Sequence, residues 1–134
     1  MRIAPEHRDA IVEHARRDAP NECCGVVATR DGVVVGVHPA VNVAASPLRF
    51  EIDSLELLRL VTEIEDRGED LGAIYHSHTR SAAYPSQTDV NFAAGWPGVE
   101  WLIVGLAAGD EPELRSFRID GGVVTEVGID IGDG

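Results

Sequence analysis

The stretch that decides the fold reads Leu71-Gly-Ala-Ile-Tyr75-His76-Ser77-His78-Thr-Arg-Ser-Ala-Ala-Tyr-Pro-Ser86-Gln87-Thr88-Asp89. Residues 71–75 form an apolar run of strand length, which predicts a buried strand. Residues 76–85 have a loop's polarity, and Ser86 reads as the N-cap of a helix over about 86–94. His76 and His78 leave the strand two positions apart. On an extended chain such residues project to the same side, which makes them a metal pincer. Catalytic zinc takes a third protein ligand and keeps one position open. Asp89, in the first turn of the helix capped by Ser86, is the candidate.

Working outward, Pro5 opens a helix over about 5–18 that Pro20 closes. Two β-branched runs, 24–28 and 33–37, flank Arg30-Asp31-Gly32, a hairpin signal. Residues 39–48 read as an irregular loop and 49–52 as a short strand. Asp53 caps the next helix, with Glu56 completing a capping box, Leu57, Val61 and Ile64 on its apolar face, and Gly68 as its stop. Strands follow at 101–106, 113–119 and 123–129. The fold class is therefore α/β: a mixed, curved sheet of about seven strands flanked by about three helices, expected as one domain over residues 1–134. Phe50, Trp96 and Trp101 are expected in the core. Cys24 should pack in its strand, with Cys23 facing the opposite way. His7, His14 and His38 have no partner at metal-site spacing and are expected to be solvated.

Composition excludes several classes. Of 134 residues, 23 are acidic and 11 basic, giving −12 at pH 7. Every basic one is Arg. This balance argues against nucleic acid and anionic membrane surfaces as partners. No apolar run approaches bilayer length and the N-terminal residues are polar. The two cysteines are sequence neighbours, so no disulfide framework is expected, and the cytoplasm is the predicted compartment. No phosphate-cradling glycine motif stands at a strand-to-helix junction, so no organic cofactor is implied.

A hydrolytic metal site needs a general base, and Glu22, between a helix end and a buried strand, is the candidate. Sequence spacing alone does not bring it to His76. However, Glu22, then His76-Ser77-His78, seven intervening residues, and Ser86-Gln87-Thr88-Asp89 resemble the JAMM motif of the MPN-plus metalloproteases. Tyr75-His-Ser-His-Thr79, Tyr84-Pro-Ser86 and Asn21-Glu-Cys-Cys-Gly25 are most similar to that family's bacterial Mec branch. The resemblance implies the family's cytidine-deaminase-like sandwich. It implies Zn2+ on His76, His78 and Asp89, Glu22 as proton shuttle, and Ser86 as oxyanion donor. It further implies a small ubiquitin-like (β-grasp) sulfur-carrier protein as substrate, cleaved at its C-terminal glycine to free cysteine. Asn42, Arg49 and Phe50 lie where related enzymes grip the partner's tail. Thr79 stands where many members have Pro, which turns the expectation from a eukaryotic-type deubiquitinase. Two alternatives stay open: an isopeptidase acting on lysine conjugates, and a non-catalytic zinc-containing binding module. A zinc deaminase would need a Pro-Cys-x-x-Cys ligand pair, which the sequence lacks.

Overall fold

The computed structural model describes residues 1–107 and 109–132. Its elements in chain order are β1 (Arg2–Ile3), α1 (Pro5–Asp18), β2 (Cys24–Arg30), β3 (Val33–Ala40), α2 (Ser54–Asp66), β4 (Asp70–His78), α3 (Gln87–Ala93), β5 (Glu100–Gly105), β6 (Glu113–Asp120), β7 (Val123–Val127) and β8 (Asp130–Ile131). The strands form one sheet in the order β7-β6-β5-β4-β2-β3-β1-β8. Pairing is mixed: β4 runs parallel to β5, and β1 parallel to β3 and β8, while the other neighbours are antiparallel. Register shifts interrupt both ladders of β2, the local irregularity that lets a sheet curve.

Alternation along the central strands divides the core in two. Cys23, Val27, Ala73, Tyr75, Leu102 and Val104 face α1, where Ile11, Val12 and Ala15 cover them. Cys24, Val26, Ile74, Trp101, Ile103 and Phe117 face α2 and α3, under Leu57, Leu60, Ile64 and Ala93. The period of two in β2, β4 and β5 thus builds a helix–sheet–helix sandwich. Among the described residues no helix is long and apolar enough to cross a membrane.

Several expectations are corrected. The sheet has eight strands, not about seven. The two-residue strands β1 and β8 are too short to show a pattern. Residues 49–52 are not a strand; only Asn42 and Ile52 form an isolated bridge there. Strand β4 does not end at Tyr75 but continues through His78, pairing His76 with Ile103 and His78 with Gly105. Asp53 caps α2, accepting from the Leu55 and Glu56 N–H groups at 3.2 Å each. Glu56 does not close the box, because its carboxylate turns to the Val41 N–H at 3.0 Å. His14 is not solvated. It is buried, with Nδ1 2.7 Å from the Tyr75 hydroxyl and Nε2 3.2 Å from Asp18. The carboxylate only accepts, so Nε2 carries the hydrogen and the neutral ring accepts from Tyr75 at Nδ1.

Candidate active site

Register explains how residues far apart in sequence meet. Cys24 pairs antiparallel with His76. Continuing that register by two positions sets Glu22 across from His78. Parity places Glu22, His76 and His78 on one side of the sheet, the side of α2 and α3. The potential ligand atoms of all three lie within 4.8 Å of one another.

The third element is α3. Ser86 caps it, its hydroxyl oxygen accepting from the Asp89 N–H at 3.2 Å, while the Ser86 N–H donates to Asp89 Oδ2 at 2.9 Å. This capping box turns the Asp89 carboxylate back toward β4. Asp89 Oδ2 then lies 3.1 Å from His76 Nε2 and 3.3 Å from His78 Nε2, and the two Nε2 atoms are 3.2 Å apart. His78 Nδ1 sits 2.8 Å from the Ala82 carbonyl, an acceptor, so Nδ1 carries a hydrogen and Nε2 is the ring nitrogen that faces the triangle and would serve a metal. Two imidazole nitrogens and a carboxylate oxygen at this spacing fit a metal cation.

Burial and neighbouring polar groups set the protonation of the site. Glu22, His76, His78 and Asp89 are all buried. Desolvation pushes the Glu22 carboxyl up to about 8, with His78 opposing and Asp89 reinforcing the shift. It also lowers His76, against the raising influence of Asp89. For His78 burial pulls down, but Asp89, the Ala82 carbonyl and Glu22 outweigh it, and the net shift is upward. Burial would raise Asp89, yet hydrogen bonds from both histidines and the Ser86 N–H hold it well below the usual carboxylate range. A buried carboxylate beside the His76–His78–Asp89 triangle, poised between charged and neutral, suits a proton shuttle.

The loop 41–52 borders the site. The Phe50 ring stacks on His76 with centroids 4.6 Å apart, so it is half-buried against the triangle. Arg49 has an exposed side chain. Asn42 is a brace. Its Nδ2 donates to the Glu22 and Arg49 carbonyls, and its Oδ1 accepts from the Ala44 and Glu51 N–H groups, each at 3.0 Å. Those four bonds exhaust a carboxamide, which leaves nothing for a substrate. Sequence reasoning missed this role; the only signal was an Asn inside a turn-rich segment. A cavity of about 380 Å³ opens beside Glu22, walled by His14, Asp18, Asn21, Val41 and Asn42.

Residues 4–120 match the family model described as prokaryotic homologs of the JAB domain. The chain is 41% identical over 125 residues to a CysO-cysteine peptidase of Mycobacterium tuberculosis, covering 92% of this chain and 85% of that one. It is 40% identical over 110 residues to a desampylase of Haloferax volcanii, covering 77% and 78%. Its fold matches that of a JAB1/MPN domain protein from Archaeoglobus fulgidus, with a TM-score of 0.68 at 16% identity over 99% of this chain and all of that one. The chain belongs to the prokaryotic JAB-domain family and is a hydrolase of the JAMM type.

Proposed function

We propose that this hydrolase cleaves the amide bond at the C-terminal glycine of a small ubiquitin-like sulfur-carrier protein of β-grasp fold and releases cysteine. In this reading zinc is held by His76, His78 and Asp89. The observation that carries it is the convergence of Glu22 on the triangle of those three side chains. Tetrahedral zinc with bonds of about 2.0–2.1 Å sets its ligand atoms roughly 3.3 Å apart. The triangle's edges of 3.1, 3.2 and 3.3 Å match. When bound, zinc would supply an activated water at neutral pH and polarise the substrate carbonyl.

The chain's own residues do the rest. Glu22, the only one of these side chains not needed as a ligand, takes a proton from the attacking water and hands it to the departing amine. Ser86 uses its oxygen lone pair for the Asp89 N–H, so its hydroxyl hydrogen is free to donate to the oxyanion that forms at the carbonyl. The Phe50 ring over His76 keeps that side of the site dry. The cavity beside Glu22 offers room for a leaving group next to its proton donor. Val41, Val43 and Leu48 of the loop, with Leu55 and Leu58 of α2, expose an apolar surface that suits a protein substrate. We place the reaction in the cytoplasm and within a single domain over residues 1–134.

A second reading, an isopeptidase that removes a ubiquitin-like modifier from lysine side chains, is favoured by the likeness to a desampylase. Two conjugates of one carrier separate the readings, one ending in cysteine and one joined to a lysine side chain. Mass spectrometry follows the freed carrier. Faster cleavage of the cysteine conjugate is expected; faster cleavage of the lysine conjugate would install the second reading.

A further inference from the structure

The Glu22 carboxylate leaves its Oε1 buried and without a hydrogen-bond partner. Its placement has to come from the backbone. The Glu22 N–H donates to the Ser46 carbonyl at 2.9 Å, and its carbonyl accepts from Asn42 Nδ2 at 3.0 Å. Both bonds fasten Glu22 to the loop 41–52, not to the strand that carries the histidines. The link to that strand is made one residue on. The last regular pair of the β2–β4 ladder is Cys24 with His76. Beyond it, the Ser77 N–H donates to the Cys23 carbonyl at 3.2 Å, and the Cys23 N–H donates to Ser77 Oγ at 2.8 Å. Both residues are wholly buried. The side-chain hydroxyl thus extends the pairing by one residue, between Glu22 and Cys24 on one strand and between the two histidines on the other.

We propose that Ser77 is a positioning residue for the reaction. Its hydroxyl clamps Cys23 and so fixes the distance from the base Glu22 to His76 and His78. The inference rests on the roles assigned above to Glu22 and the histidines. Parity turns the Ser77 side chain to the α1 side of the sheet, with Tyr75 and Cys23, while the histidines face the other way. The hydroxyl therefore acts on the base without touching substrate or metal. Without it the Cys23 N–H becomes a buried donor with no acceptor, and the segment carrying Glu22 relaxes toward the loop that holds its other side.

The test compares Ser77→Ala and Ser77→Thr with wild type in three measurements. These are kcat and KM on the carrier conjugate, bound metal per chain, and amide hydrogen exchange at residues 22–24 in both metal-free and metal-loaded protein. For Ser77→Ala we expect kcat to fall by about 10²-fold, the scale of a 1 Å misplacement of a reacting group. KM and metal content should hold, and exchange at residues 22–24 should quicken with and without metal. Ser77→Thr returns the hydroxyl and should restore both rate and protection. If Ser77→Ala does not fold, Ser77→Cys keeps the volume, weakens the acceptor and serves in the same measurements. Unchanged kcat, unchanged exchange, loss of metal, or a folded Thr variant that restores nothing would each overturn the clamp. A wild-type enzyme inactive on every conjugate would instead overturn the proposed function, and the exchange data would still judge the clamp.

Discussion

Ser86 has a capping task and, in the proposed mechanism, a catalytic one, and substitution can pull the two apart. Its hydroxyl oxygen caps α3 by accepting from the Asp89 N–H at 3.2 Å, and its hydroxyl hydrogen is the proposed oxyanion donor. Ser86→Ala removes both. Losing the cap costs about 1 kcal/mol, which for a domain of this size lowers Tm by roughly 3–6 °C. Losing the donor costs about 10²–10³ in kcat. Ser86→Gly removes the same hydroxyl, but glycine at an N-cap costs only a few tenths of a kcal/mol. Either variant keeps the backbone N–H that donates to Asp89 Oδ2 at 2.9 Å, so the proposed metal ligand stays oriented. Calorimetry and conjugate hydrolysis on the same samples give the answer. Ala should lose both Tm and rate, and Gly should lose rate alone. A Gly variant that recovers rate along with Tm would show that the hydroxyl serves the helix and not the chemistry.

Other consequences follow from the same geometry. His76→Ala, His78→Ala and Asp89→Ala should each empty the metal site, while Glu22→Gln should keep it; elemental analysis checks this, and full zinc occupancy in the first three would sink the ligand assignment. His14 is buried in neutral form, burial lowering its pKa despite the Asp18 carboxylate. A lowered folded-state pKa means its contribution is complete above the unfolded value of about 6.5 and is lost as pH falls through the folded value. Urea unfolding should therefore show wild type losing more stability than His14→Gln between pH 7 and pH 5, and parallel curves would refute the buried neutral ring. A Cβ on Gly25 would clash with the hydroxyl end of the Tyr75 ring, so Gly25→Ala should destabilise by about 1–3 kcal/mol, read from the urea midpoint.

The helices were legible because capping and apolar spacing are local signals: Pro5, Asp53 and Ser86 each stand where α1, α2 and α3 begin. The hairpin was legible from Asp31-Gly32, both at positive φ. The histidine pincer followed from the period of two. What stayed hidden depends on partners distant in sequence. Polar His76-Ser77-His78 reads as loop, yet it is strand, because β5 pairs its backbone and Asp89, Ala82 and Cys23 take up its polar atoms. His14 reads as a solvated helix position until Tyr75 arrives from β4. Glu22 is a loop glutamate in sequence, and only the Cys24–His76 register brings it across from His78. The family resemblance makes Asn42 a substrate-contact candidate, and nothing local announces that its carboxamide is already spent on the Glu22, Arg49, Ala44 and Glu51 backbones.

The most direct test incubates a carrier–cysteine conjugate with wild type and Glu22→Gln, matched for zinc content, and follows the carrier's mass. The wild type should free cysteine and leave a carrier ending in a carboxylate. Glu22→Gln, with the same metal and the same fold, should be slower by about 10²–10⁴-fold, the usual worth of a general acid–base group. An intact conjugate with the wild type, or a Glu22→Gln rate close to it, would contradict the account.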